Sequence, residues 1–156
     1  MTFEALRKQV ALGLNVGLAG FPLWGTDIGG FGFAGKCTPE LYIRWFQFGA
    51  FCPIFRLHGH RLPNTDDFNG AANEVWSFGE PAYQIIKKYM LLRERLRPYV
   101  MKQMSMASET GIPLMRPLFV DFPSDPVCYQ VEDEYLFGAD LLVAPILDAD
   151  IQTRNV

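Results

Sequence analysis

The chain has 156 residues, enough for one ordinary domain with a hydrophobic core. A net charge of −3 without a basic block argues against nucleic-acid binding, and no apolar run is long enough to predict a membrane span. The three cysteines form no CxxC pair, so a disulfide framework or a structural zinc site is not supported. As free thiols, Cys37, Cys52 and Cys128 favour a reducing, cytoplasmic location.

Helix and strand signals alternate over the first two thirds of the chain. The cues are Thr2 as an N-cap, Thr38-Pro39-Glu40 as a helix start, and Gly111 beyond the end of a long helix that contains Pro98. In chain order we predict a short helix after Thr2, a glycine-rich loop within 11–21, a buried strand over 17–24, a helix from Pro39, a strand over 52–57, a loop over 62–78, and a long helix over 81–109 that Pro98 kinks. This order is the repeat of a parallel α/β fold.

Beyond residue 111 the pattern changes to closely spaced strands without helices. Strands are predicted over 113–122, 135–137 and 141–147, separated by turns rich in proline, glycine and aspartate. We therefore expect two regions, residues 1–111 and residues 112–156. Two strand–helix units neither close a barrel nor cover a sheet, and the second region holds few strands, so we expect the chain to be a piece of a longer protein.

Two strand ends carry the candidate site. An apolar run through Trp24 ends in the carboxylate of Asp27, which is followed by two glycines and Phe31. A carboxylate in such a frame is costly unless it has a partner or a ligand. The next strand ends in Arg56 and His58. Because the carboxyl ends of parallel strands meet at one edge, we expect these side chains to lie close together.

Each candidate has a structural alternative. Asp27 could cap a helix or pair with an arginine, and His58 could be a packed histidine at a strand end. His58 and His60 with Asp27 also have the ingredients of a zinc or iron site, although Gly59 and the end of the strand weaken that hypothesis. The 14% aromatic content suits either a ring-rich core or the wall of a sugar site.

The remaining charged residues are interpreted as loop or surface residues. We assign the other aspartates to loops and turns, namely Asp66, Asp67, Asp121 and Asp140. The basic run of the long helix is interpreted as a solvated face formed by Lys87, Lys88, Arg93, Arg95 and Arg97.

Four separated motifs, in this order, resemble glycoside hydrolase family 31. They are Trp24-Gly25-Thr26-Asp27-Ile28-Gly29-Gly30-Phe31, then Arg56-Leu57-His58-Gly59, then Pro117-Leu118-Phe119 with Phe122-Pro123, and Phe137-Gly138-Ala139-Asp140-Leu141-Leu142-Val143-Ala144-Pro145. The resemblance covers nearly the whole chain. It implies an α/β architecture in which residues 1–111 are the last part of a (β/α)8 TIM barrel, with its seventh and eighth strands. Residues 112–156 would begin a β-sandwich domain.

The resemblance also implies a function. The family contains retaining α-glucosidases and α-xylosidases, whose substrates are oligosaccharides or small α-glycosides, and it implies no metal or organic cofactor. Positions matching Asp27 and His58 contact the sugar, the ring matching Phe31 lies beside the cleft, and Trp24 and Arg56 are carried over as further candidates.

The family's two catalytic aspartates have no counterpart in this sequence. The nucleophile comes from an earlier strand, and the acid/base lies just before the segment that resembles Thr2-Phe3-Glu4. We therefore predict no catalytic residue in this chain and no hydrolysis by the chain alone. Partial strands and helices also expose apolar faces, so we expect poor stability or association. The alternative is a non-catalytic carbohydrate-binding or structural remnant.

Overall fold

The computed structural model describes residues 1–31, 37–58 and 71–156. Three helices come first, followed by a small sheet. The elements are α1 (Phe3–Leu18), α2 (Pro39–Gly49), α3 (Glu80–Thr110), β1 (Met115–Arg116), β2 (Tyr135–Phe137) and β3 (Leu141–Val143), with 3-10 turns at Leu118–Val120 and Pro126–Tyr129 between β1 and β2. None of the helices in these ranges is long and apolar enough to cross a membrane.

The helix starts and ends follow the capping residues. The hydroxyl of Thr2 accepts a hydrogen bond from the Ala5 amide, and that of Thr38 accepts one from the Leu41 amide. Gly111 ends α3 in the left-handed conformation, with a φ of +77°. The predicted helix from Pro39 and the predicted extent of the long helix are therefore confirmed, and the kink at Pro98 stays a prediction.

The predicted loop within 11–21 and the start of the predicted strand at residue 17 are wrong, because α1 continues to Leu18. The glycines that suggested a loop are contact points of this helix. A Cβ at Gly13 would lie 2.8 Å from the ring of Trp24, and one at Gly17 would lie 3.2 Å from the Met115 carbonyl. Close packing on these faces outweighs the weak helix propensity of glycine.

The parallel pairing is shorter and later than predicted. Segments 24–28 and 54–57 lie side by side: Ile54 N donates to Trp24 O at 2.9 Å, and Ile28 N donates to Arg56 O at 3.2 Å. Residues 51–54 form turns instead of the first half of a strand, because the Phe51 and Cys52 amides bond back to the end of α2.

The second region is an antiparallel sheet in the order β1-β2-β3. The prediction for β2 is confirmed. The prediction over 113–122 is wrong beyond Arg116, because the chain after Pro117 turns into a 3-10 helix. The third strand ends at Val143, two residues before Pro145, which cannot donate to a ladder.

Arg93 connects α3 to both regions, so its interpretation as part of a solvated face is wrong. Its guanidinium donates to the carbonyls of Ala50 and Pro53 at 2.8 Å each and lies 5.7 Å from the ring centres of Phe55 and Phe137. Burial lowers the pKa of the Arg93 guanidinium. The other basic residues of the run are exposed, as predicted.

Two tyrosines also connect the helical region to the sheet. The Tyr99 hydroxyl donates to Phe137 O at 2.9 Å, and the Tyr135 hydroxyl donates to Phe51 O at 3.0 Å. Polar contacts from α3 and β2 thus fasten the sheet to the helical region.

Candidate functional site

The turn after the first parallel segment presents Asp27. Its φ of +45° lies in the left-handed region, as do those of Gly29 (+86°) and Gly30 (+83°), and Gly30 N closes the turn by donating to Asp27 O at 2.7 Å. Ile28, between them, is fully buried against Gly49, where a Cβ would be 2.6 Å away. The buried isoleucine anchors the turn while Asp27 stays 28% exposed at its side chain.

Asp27 and Arg56 form an ion pair across the two strand ends. Arg56 Nε donates to Asp27 Oδ1 at 2.8 Å, and Arg56 Nη2 lies 2.7 Å from the same carboxylate oxygen. Among the described residues no side chain or amide donates to Oδ2. The arginine partner considered from the sequence is thus present, and within the described part of the chain it leaves Asp27 Oδ2 without a donor.

His58 and Phe31 also meet, each from one of the two strand ends. Their rings are edge-on, with centroids 4.4 Å apart and an interplanar angle of 85°. Phe31 is half exposed, so one part of its ring holds the imidazole and another part faces solvent. Four of the five predicted site residues therefore form two contacting pairs at the neighbouring strand ends.

Trp24 does not lie with the other four. Its ring packs against Gly13 of α1 and lies 6.2 Å from the ring of Phe48 in α2. Along the extended segment, Thr26 also faces the helices, where its hydroxyl accepts a hydrogen bond from Trp45 Nε1 at 2.7 Å. This alternation separates Trp24 from Asp27, and the packing favours a structural role for Trp24.

Asn73 is a polar residue at this site that the sequence did not single out. Its side-chain amide donates to Ile28 O at 3.2 Å and to His58 O at 2.5 Å, so it bridges the two strand ends. Asn73 lies in the segment interpreted only as a polar loop. No local pattern distinguishes it from the other asparagines there.

The metal hypothesis and the remaining aspartates have different outcomes. Within the described ranges, no group of three or more His, Cys, Asp or Glu side chains could hold a metal ion. His60, Asp66 and Asp67 lie outside those ranges, so the predictions on them stay predictions. Asp121 ends the first 3-10 turn and pairs with Arg116, while Asp140 lies in the turn before β3.

Comparison with known protein families shows to which family the chain belongs. The Glycosyl hydrolases family 31 TIM-barrel domain matches residues 1–103, and the Glycosyl hydrolase family 31 C-terminal domain matches residues 111–156. The chain belongs to glycosyl hydrolase family 31. It comprises the C-terminal part of the family's TIM barrel followed by the start of a small antiparallel sheet domain.

Similar members of family 31 are α-xylosidases and α-glucosidases. The chain is 39% identical to an alpha-xylosidase of Saccharolobus solfataricus, covering 99% of this chain and 20% of that protein. It is 41% identical to alpha-glucosidase 2 of Bacillus thermoamyloliquefaciens, covering 97% and 18%. The chain thus spans about a fifth of the length of these relatives.

A solved family 31 structure agrees closely with the chain. The α-xylosidase from a soil metagenome, in complex with xylose, is 52% identical with a TM-score of 0.88, covering 96% of this chain and 24% of that one. A Flavobacterium johnsoniae dextranase complexed with isomaltotriose gives 34% identity and a TM-score of 0.82, covering 94% and 17%.

Proposed function

We propose that this chain supplies one wall of the sugar pocket of a retaining α-glycosidase that hydrolyses terminal α-linked glucose or xylose. The observation that carries the proposal is the presence of two contacting pairs, Asp27 with Arg56 and His58 with Phe31, at two neighbouring strand ends. The carboxyl ends of barrel strands are where TIM-barrel enzymes bind substrates. The names of the relatives support α-xylosides and α-glucosides as the substrate class.

The chemistry of the four side chains suits a neutral sugar. Asp27 Oδ2 can accept hydrogen bonds from sugar hydroxyls, and bonds to a charged acceptor are stronger and more directional than neutral ones. Arg56 fixes the carboxylate through Oδ1. The imidazole of His58 can bond to a further hydroxyl, and the exposed part of Phe31 can pack against the apolar face of a sugar ring.

The chain's proposed share of the reaction is orientation. In a retaining mechanism one carboxylate attacks the anomeric carbon, a covalent glycosyl-enzyme forms, and water then hydrolyses it. Asp27 and His58 would contribute through hydroxyl contacts that strengthen as oxocarbenium character develops. We also propose that residues 1–111 belong to the barrel domain and residues 112–156 to the following β domain.

A direct test measures the binding of xylose and glucose to the chain by ligand-observed NMR. We expect Asp27→Asn to weaken binding about 10- to 100-fold, because it removes a charge-assisted contact of about 1.5–3 kcal/mol. Asp140→Asn is the matched control, since Asp140 is an exposed turn residue, and it should leave binding unchanged.

Two outcomes would contradict the proposal, and a third measurement separates it from its rival. Equal binding by the wild-type chain and Asp27→Asn would show that this carboxylate does not hold the sugar. Hydrolysis of a nitrophenyl α-xyloside or α-glucoside by the chain itself would contradict the assignment of orientation without catalysis. The rival, a non-catalytic carbohydrate-binding function, predicts the same sugar affinity for this chain. It differs in predicting no increase in hydrolysis when the chain forms part of a complete family 31 barrel.

A further inference from the structure

Asn73 connects the backbones of the two strand ends that carry the candidate sugar contacts. One carbonyl that it reaches, that of Ile28, directly follows Asp27, and the other belongs to His58 itself. The two N–H groups of a carboxamide can each serve one carbonyl. Because the residue is only 5% exposed, water cannot easily replace these bonds.

The contacts fix the orientation of the Asn73 amide. Both partners are carbonyl oxygens, so the NH2 group must face them and the Oδ1 atom must face away. Oδ1 then lies beside Gly29, where a Cβ would be 2.5 Å from it. Oδ1 is buried and has no hydrogen-bond partner among the described residues. A buried acceptor without a donor costs free energy. The two hydrogen bonds that the NH2 group donates therefore explain why an asparagine stands at this position.

Asn73 is itself held from both sides. The hydroxyl of Tyr42, in α2, donates to Asn73 O at 2.7 Å, and the ring of Tyr42 stacks on Phe78 with centroids 3.9 Å apart. The backbone N–H of Asn73 donates to the side-chain carboxylate of Glu74 at 3.1 Å. The carboxamide is therefore presented from a braced backbone rather than from a freely moving loop.

We propose that Asn73 is a positioning residue for the sugar site, setting the relative placement of Asp27 and His58 through the backbones beside them. This inference rests on the proposed function for its effect on sugar binding. Between the described segments 24–28 and 54–57 the backbone bonds run from Ile54 N to Trp24 O and from Ile28 N to Arg56 O, and the second of these lies nearer the site. Loss of the Asn73 bonds should loosen this end first.

The experiment compares Asn73→Asp, Asn73→Ala and the control Tyr99→Phe in the full chain. Aspartate keeps the shape but places a carboxylate against two carbonyls, and alanine removes the donors without repulsion. Tyr99→Phe removes a hydroxyl that serves Phe137 O and Asp140 N, far from the strand ends along the chain. Hydrogen exchange is followed at two amides, Ile28 and Gly138, the latter bonded to Leu114 O at 2.7 Å.

We expect crossed results. The Asn73 variants should speed exchange at Ile28 at least about 10-fold more than at Gly138, and Tyr99→Phe should do the reverse. The Asn73 variants should also weaken xylose binding about 10-fold with Asp27 and His58 unchanged, whereas Tyr99→Phe should leave it unaltered. If Asn73→Asp does not fold, Asn73→Ala decides the question.

Equal acceleration at both amides, or none at Ile28, would overturn the positioning role. Localised acceleration at Ile28 with unchanged xylose affinity would also overturn it. A wild-type chain that binds neither xylose nor glucose would contradict the proposed function instead, and the exchange comparison would then decide whether Asn73 orders the strand ends.

Discussion

Replacing Arg93 with methionine should destabilise the chain strongly. The change keeps a long apolar stem but removes the guanidinium that serves the carbonyls of Ala50 and Pro53. Both of those residues are buried, so water cannot take over these bonds without a rearrangement of the turn before the second strand end. The stacking of the charge over Phe55 and Phe137 is lost as well.

The magnitude follows from these contacts. A buried carbonyl left without a partner costs about 1–3 kcal/mol, and a cation–π contact contributes about 0.5–1 kcal/mol or more. With some return from the apolar methionine, the expected loss for Arg93→Met is about 3–5 kcal/mol. That is a large share of the roughly 5–15 kcal/mol by which domains are stable.

Urea unfolding followed by tryptophan fluorescence measures the effect, since Trp45 is buried in the core. With an m-value of about 2 kcal/mol per M, the midpoint should fall by about 2 M. The matched control is Arg97→Met on the same helix, where an exposed arginine pairs with Glu94 at 2.6 Å and contributes about 0.2–0.5 kcal/mol. Similar midpoints for the two variants would refute the reasoning.

Two further predictions concern stability. Gly138→Ala should unfold at a lower temperature than the control Gly111→Ala. Both positions have φ above +70°, but an added Cβ at Gly138 clashes with Tyr99 whereas Gly111 faces open space. Equal shifts of the unfolding temperature would contradict this account. Burial raises the pKa of Cys52, so the folded chain keeps a proton that the unfolded chain loses above about pH 8.5, and stability should fall by about 1.4 kcal/mol per pH unit there. Cys52→Ala should flatten that fall in pH-dependent urea unfolding, and an unchanged slope would count against it.

Features set by a few neighbouring residues could be predicted from the sequence. The hydroxyl caps at Thr2 and Thr38 start their helices, and Gly111 ends α3, because each acts on backbone groups within a few positions. The glycine motif after Asp27 likewise reports a local backbone turn. The predicted meeting of the strand ends needed only the rule that parallel strands end at one edge.

Features set by distant partners could not be predicted. Gly13 lies in a helix with the Trp24 ring packed where a side chain would stand, and no local pattern carries that information. Arg93 stands among exposed basic residues, but it is half-buried and donates to a carbonyl 40 residues away in sequence. Asn73 gains its role from two backbones that only the fold brings beside it.

The charge at the site favours a neutral ligand over an ion. Within the described strand ends, 24–31 and 54–58, Asp27 and Arg56 are the acidic and basic side chains, and they pair with each other. A pair whose charges cancel exerts little net attraction on a cation or an anion. It still offers a carboxylate oxygen as a strong acceptor, because both arginine contacts use Oδ1. A hydroxyl-rich sugar meets these conditions, since it donates hydrogen bonds without bringing a charge that the pair would have to balance.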